Sequence, residues 1–184
     1  MIYSYKGTKI EASTRKEAIY KIIAEGGYIT VNYIAKDNYK NYIGKKVNVR
    51  GDVYLANLHL KELPITFRAV GGSFNCADNN LTSLEGCPSK VGGDFDCRFN
   101  SLAYLERCSL EVDGNFDCSH NSLKSLAGCP KKVGGSFDCS YNKLTSLGSC
   151  PTKVSKDFYC SSNKKQFTKK YVKSLCIVGR NIIV

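Results

Sequence analysis

The sequence predicts an α+β solenoid, a stack of short coils with a different structure at each end. Three observations predict it. From Val49 onward the chain repeats every 21 residues, in units that begin at Val49, Val70, Val91, Val112, Val133 and Val154 without insertion or deletion. The units share their apolar residues column by column, the clearest reading VGGSFDCSYNKLTSLGSCPTK from Val133 to Lys153. The flanking segments lack the repeat. A fixed period in the twenties marks units that bury their apolar faces only against their neighbours. The boundaries that follow are an N-terminal α/β cap at 1–48, six repeats at 49–174 and a C-terminal cap strand at 175–184.

In the first cap, MIYSY and TKIEA predict a hairpin around Gly7. Thr14 and Glu17 form a capping box for a helix over about residues 14–25, ended by Gly26 and Gly27. Ala18, Ile19, Ile22 and Ile23 give that helix its buried face. Residues 28–48, rich in Tyr, Asn and Lys, assign no element.

Within a unit, numbered 1 to 21, position 1 is Val and position 5 is Val53, Phe74, Phe95, Phe116, Phe137 or Phe158. Position 7 is Leu55 and then Cys76, Cys97, Cys118, Cys139 and Cys160. This alternation predicts a strand over positions 4 to 8 with 5 and 7 facing inward. The glycines at positions 2 and 3 allow a tight bend into the strand; no helix start follows them, so they are not a phosphate loop. Position 10 is Asn79, Asn100, Asn121, Asn142 and Asn163, and buried Asn at each turn predicts an asparagine ladder that satisfies backbone groups leaving the sheet. Leucines at positions 12 and 15 fill the core, and Pro88, Pro130 and Pro151 stiffen the return. After the last unit, Phe167, Tyr171 and Leu175 at i, i+4, i+8 predict a capping helix within residues 163–175, and CIVGRNIIV a closing strand.

The pattern V-x3-F-x-C-x2-N-x-L-x2-L resembles the leucine-rich repeat, whose core reads L-x-x-L-x-L-x-x-N-x-L. The short period and the Cys-Pro return look most like the short repeats of bacterial effectors and of small phage proteins. The resemblance covers about residues 49–170. It implies a curved leucine-rich-repeat solenoid with a short parallel sheet on its concave face, a mostly extended or turn-like convex side, and a role in protein recognition. The first unit, with Leu58 for Asn, and the last, with Lys165 and Thr168 for Leu, are degenerate as terminal repeats are.

Ten cysteines fall mostly in two columns, the one at position 7 and a second at Cys87, Cys108, Cys129 and Cys150. Free cysteine acts as a small buried hydrophobe, no C-x2-C pair suits zinc, and stacked strands hold equivalent cysteines at poor disulfide geometry. These readings predict reduced thiols, a cytoplasmic setting in a bacterial or host cell, no metal and no cofactor. No apolar run approaches the length of a membrane span, and the start carries no basic-then-apolar signal pattern. The net charge of +11 sits at the ends: +5 over residues 1–48, zero over 49–153 and +6 over 154–184.

No catalytic residues are identified. His59 and His120 lie in different units without a nucleophile motif, and His120 at position 9 reads as a surface residue. The chain is expected to be non-enzymatic. Position 6 runs Tyr54, Asn75, Asp96, Asp117, Asp138 and Tyr159, so three aspartates stack with Asp94 and Asp157 nearby. One reading is a solvated Asp copied by duplication. The other is an acidic stripe edged by Tyr54, Phe99, Tyr141 and Tyr159, suited to a protein partner. On that reading the chain is a phage or mobile-element protein that modulates, for example inhibits, a host or defence protein. The competing reading is nucleic-acid binding through the basic ends, Lys45 and Lys46 at one and Lys164, Lys165, Lys169, Lys170 and Lys173 at the other.

Overall fold

A computed structural model describes residues 2–5, 8–11, 27–105 and 111–184. Ile2–Tyr5 and Thr8–Glu11 pair antiparallel, Ile2 opposite Glu11, as the hairpin expectation requires. The helix expected over 14–25, with Thr14, Glu17 and its apolar face, lies outside the described residues, as does Cys108.

The described residues from 27 onward form a parallel β-solenoid. Its coils build two parallel sheets rather than the single concave sheet expected. The seven-stranded sheet consists of Val53–Tyr54, Phe74–Asn75, Phe95–Asp96, Phe116–Asp117, Phe137–Asp138, Phe158–Tyr159 and Ile182–Ile183. It is the strand expected over positions 4 to 8, shortened to positions 5 and 6, in the register the repeat demands. The eight-stranded sheet uses positions 21 and 1, as in Lys90–Val91, Lys132–Val133 and Lys153–Val154. It occupies the side expected to be only extended or turn-like. A second correction concerns residues 28–48. Ile29–Val31 pairs in parallel with Lys46–Val49, and Ile34 bridges to Val53, so this segment forms a coil of the stack.

The columns read from the sequence face inward as expected. Val at position 1, Phe at 5 and Cys at 7 are buried in every described unit that carries them, with Leu55 in the first. The phenylalanines form a stack through the core: Phe74, Phe95, Phe116, Phe137 and Phe158 follow one another at centroid distances of 5.2, 5.2, 5.8 and 5.1 Å. Leu81, Leu102, Leu123 and Leu144, with Leu84, Leu105, Leu126 and Leu147, close the opposite side. Rings in successive coils meet with offset faces, a geometry that adds to simple burial. All nine described cysteines are free.

The asparagine ladder is present. Asn142 accepts from the Leu123 N–H of the preceding coil at 2.9 Å and donates to Cys118 O at 3.0 Å. It also donates to Cys139 O and Ser140 O in its own coil. Asn79, Asn100, Asn121 and Asn163 repeat the scheme. Position 7 carbonyls point away from the sheet ladder, and one amide side chain per coil supplies their donors.

The chain bends at positions 2 and 3 as expected, and the glycines at position 2 also allow close approach between coils. A Cβ on Gly92 would stand 2.2 Å from the Gly71 carbonyl oxygen, and one on Gly134 2.0 Å from that of Asp113. Gly92→Ala is therefore expected to force neighbouring coils apart and cost about 1–3 kcal/mol, as overpacking does. A lower urea midpoint with an unchanged slope would show it.

At the C-terminal end, the predicted helix is shorter and later than its heptad-like spacing suggested. Helix α1, Lys169–Leu175, begins after Thr168, whose hydroxyl accepts from the Tyr171 N–H. Phe167 is buried ahead of the helix, and within it Val172, not Tyr171, is the buried residue. Ile177–Val178 and Ile182–Ile183 then extend both sheets.

Candidate recognition face

Positions 4, 6, 8 and 9 of the six units lie on the outward side of the seven-stranded sheet. They hold seven aspartates (Asp52, Asp78, Asp94, Asp96, Asp117, Asp138, Asp157), one arginine (Arg98) and no lysine. A formally acidic face thus lies on a chain of net charge +11.

Most of these aspartates have structural work. At position 6, Asp96, Asp117 and Asp138 each accept from the N–H two residues on, at Arg98, Ser119 and Ser140. Asn75 does the same for Ala77. These Asx turns satisfy the one N–H that alternation leaves outside the ladder. At position 4 a second polar ladder runs between coils: the Ser73 N–H donates to Asp52, Asn115 to Asp94, Ser136 to Asn115 and Asn181 to Asp157. Asp94, Asp96, Asp117 and Asp138 thus each hold backbone, a role that neither the solvated copy nor the acidic stripe expected of them.

Like charges in the row are partly offset. Arg98 lies 3.3 Å from Asp96 Oδ2 and 3.7 Å from Asp117 Oδ2. Burial nevertheless pushes the Asp96 carboxyl up to about 6, against the hydrogen bond from the Arg98 N–H, and Asp117 and Asp78 add to the rise. Burial raises Asp138 as well, while the hydrogen bonds from Ser140 oppose it. A carboxyl raised on folding holds its proton in the native state after the unfolded chain has lost it. Its contribution to stability is therefore complete below the unfolded value near 3.8 and lost as pH climbs to about 6. Asp96→Asn keeps the Asx turn, as Asn75 shows. It is expected to leave melting unchanged near pH 4 and to raise Tm by roughly 2–4 °C at pH 7, measured by thermal scans across that range.

The column the sequence undervalued is position 9. Asn57, Asp78, Phe99, His120, Tyr141 and Ser162 all have left-handed backbone, with φ between 50° and 55°. That conformation turns each side chain outward, and the middle three rings stack. Phe99 to His120 and His120 to Tyr141 are each 4.2 Å between centroids, inclined 20° and 10°. His120, expected as an isolated surface residue, is the filling of an aromatic sandwich. The 21-residue spacing of Phe99, His120 and Tyr141 was the available signal.

The expected recognition residues fall into groups. Asp96, Asp117, Asp138, Phe99 and Tyr141 lie on three consecutive coils, and Tyr159 pairs beside Asp138. Tyr54 is exposed but two strands away from Asp96. The basic ends do not converge. Lys46 starts the second strand of the eight-stranded sheet, whereas Lys164, Lys165, Lys169, Lys170 and Lys173 follow the strand five steps along it. At strand spacing that is about 24 Å. Lys45 donates to Asn41 O and lies 5.5 Å from the Tyr42 ring, and Lys165 lies 5.8 Å from the Tyr171 ring. Basic residues unforeseen in the sequence lie along the other sheet, Arg68, Lys90, Lys131, Lys132 and Lys153; the last three line a cleft of about 880 Å³ together with Glu111 and Asp113.

Among the described residues, no group of His, Cys, Asp and Glu is placed to hold a metal ion, and no helix is long and apolar enough to cross a membrane. Compared with known proteins, the chain matches no protein-family model, no curated protein and no solved structure.

Proposed function

We propose that this chain is a non-enzymatic protein-recognition module of the leucine-rich-repeat kind, which binds its partner with the face made by positions 4, 6, 8 and 9. The observation that carries this reading is the exposed stack of Phe99, His120 and Tyr141, set among aspartates on a rigid sheet. Aromatic anchors beside charge are the usual source of interface energy. The reduced thiols suit a reducing compartment, the bacterial or host cytoplasm. The likeness of the repeat to those of small phage proteins supports a phage or mobile-element protein acting on a host or defence protein.

Affinity capture from the native cell, compared between the wild type and a Phe99→Asn/His120→Asn/Tyr141→Asn variant, tests the reading. The wild type is expected to retain a stoichiometric protein that the variant loses, with both melting within about 2 °C of each other. A partner retained equally by the variant removes this face from the argument.

A second reading is favoured by the basic row on the opposite sheet. Lys132 and Lys153 are register neighbours, and within the row only Lys90 has a described carboxylate partner, Glu111 at 3.5 Å. Such a row can follow a nucleic-acid backbone. Mobility-shift titrations at rising salt should then show affinity falling steeply, and no binding at low salt rejects this reading.

A further inference from the structure

The left-handed column at position 9 carries two residues, Phe99 and Tyr141, that the fold does not call for. Asn and Asp adopt this conformation readily, and Asn57 and Asp78 show the fold's own solution. A bulky side chain there is a strained outlier. Stacking returns part of that cost, yet Phe99 and Tyr141 remain 46% and 53% exposed. The rings therefore stay wet in a conformation that disfavours them. Residues that break a local rule without a gain to the fold are characteristic of functional sites.

The two ends of the stack differ. Beyond Tyr141 the column continues with Ser162, and before Phe99 with Asp78. Neither is large enough to cover a ring. Arg98, the one cation on this face, is drawn to Asp96 and Asp117, and no described lysine or arginine lies over Phe99. No described ring or cation therefore covers the outer face of Phe99, and Asp78, the next residue of the column, has no described ion-pair partner.

We infer that the outer face of Phe99, together with Asp78, seats an arginine side chain from a basic segment of the protein partner. The inference rests on the recognition reading given above and names what that face selects. A guanidinium is planar: it can stack on the ring and at the same time present two N–H groups to the Asp78 carboxylate. A lysine ammonium offers a point charge without the plane, and so gains less from the ring. Seven aspartates against one arginine and no lysine on the face draw a basic segment toward it.

The test uses the full chain and three acetylated, amidated peptides that alternate glycine with arginine, lysine or citrulline. Ring signals of Phe99, His120 and Tyr141 are followed by NMR in the wild type and in Phe99→Asn and Asp78→Asn. The arginine peptide is expected to move the Phe99 signals most and to bind about three- to tenfold more tightly than the lysine peptide. The citrulline peptide should bind weakest, and each substitution should erase the arginine preference while leaving Tm in place. Equal binding of the arginine and lysine peptides, unaltered by Phe99→Asn, overturns the inference: the face then attracts charge alone. So does a Phe99 ring that no peptide perturbs, or one whose signals shift with protein concentration without peptide, since a second copy then occupies it. None of these results rescues or sinks the broader reading, which stands or falls on the capture experiment.

Discussion

Asn142→Ala is expected to lower stability by about 2–4 kcal/mol, the cost of leaving buried polar groups without partners. Asn142 is 7% exposed and its amide joins two coils. Truncation strands the Leu123 N–H and takes from Cys118 O one of its two amide donors, leaving only Asn121. The bonds to Cys139 O and Ser140 O, which hold the chain as it leaves the sheet, go as well. The urea midpoint should fall, and amide exchange at Leu123 should accelerate before that at Leu81, two coils away. An unchanged midpoint would mean that water replaces the amide.

Phe116→Ala is expected to cost about 3–5 kcal/mol, the range for deleting a buried aromatic side chain. Phe116 is fully buried and stacked on both sides, 5.2 Å from Phe95 and 5.8 Å from Phe137. The sheet on one side and the leucines on the other hold the walls, so the space cannot collapse. In a stack where coils touch only their neighbours, such a gap also weakens the coupling between halves. Chemical denaturation should lose its single sharp transition and resolve two, with the fluorescence of tyrosines on either side of residue 116 reporting different midpoints. Phe116→Leu should cost less than half as much.

Features fixed by a repeated residue type were legible in the sequence. Five phenylalanines, five cysteines and five asparagines at one spacing place themselves inward once the units are laid in register, and the ladder chemistry of Asn follows from its donors and acceptors. The eight-stranded sheet was not legible. Its strands are mostly two residues long, too short to alternate, and position 21 varies among Ala69, Lys90, Glu111, Lys132 and Lys153. Residues 28–48 were missed for a related reason: Val31 pairs with Val49, a spacing of 18 that no 21-residue register reveals. The position 2 glycines were read as bends, which they are, but a single unit cannot show the carbonyl of the preceding coil pressing against them. At the candidate recognition face, the residues were read but not their directions. Asp94, Asp96, Asp117 and Asp138 turned out to hold backbone, whereas His120 gained its place from a left-handed φ that composition does not encode.

The buried cysteine column has a practical consequence. Thiol reagents attack the thiolate, and burial raises Cys76, Cys97, Cys118 and Cys139 well above the ordinary thiol range and Cys160 to about 11. Each of five successive coils therefore carries one silent group that can react only when that coil opens. Pulsed alkylation followed by peptide mapping would date the opening of every turn separately. The molecule is in this sense a row of tally marks, recording in which order its turns come apart.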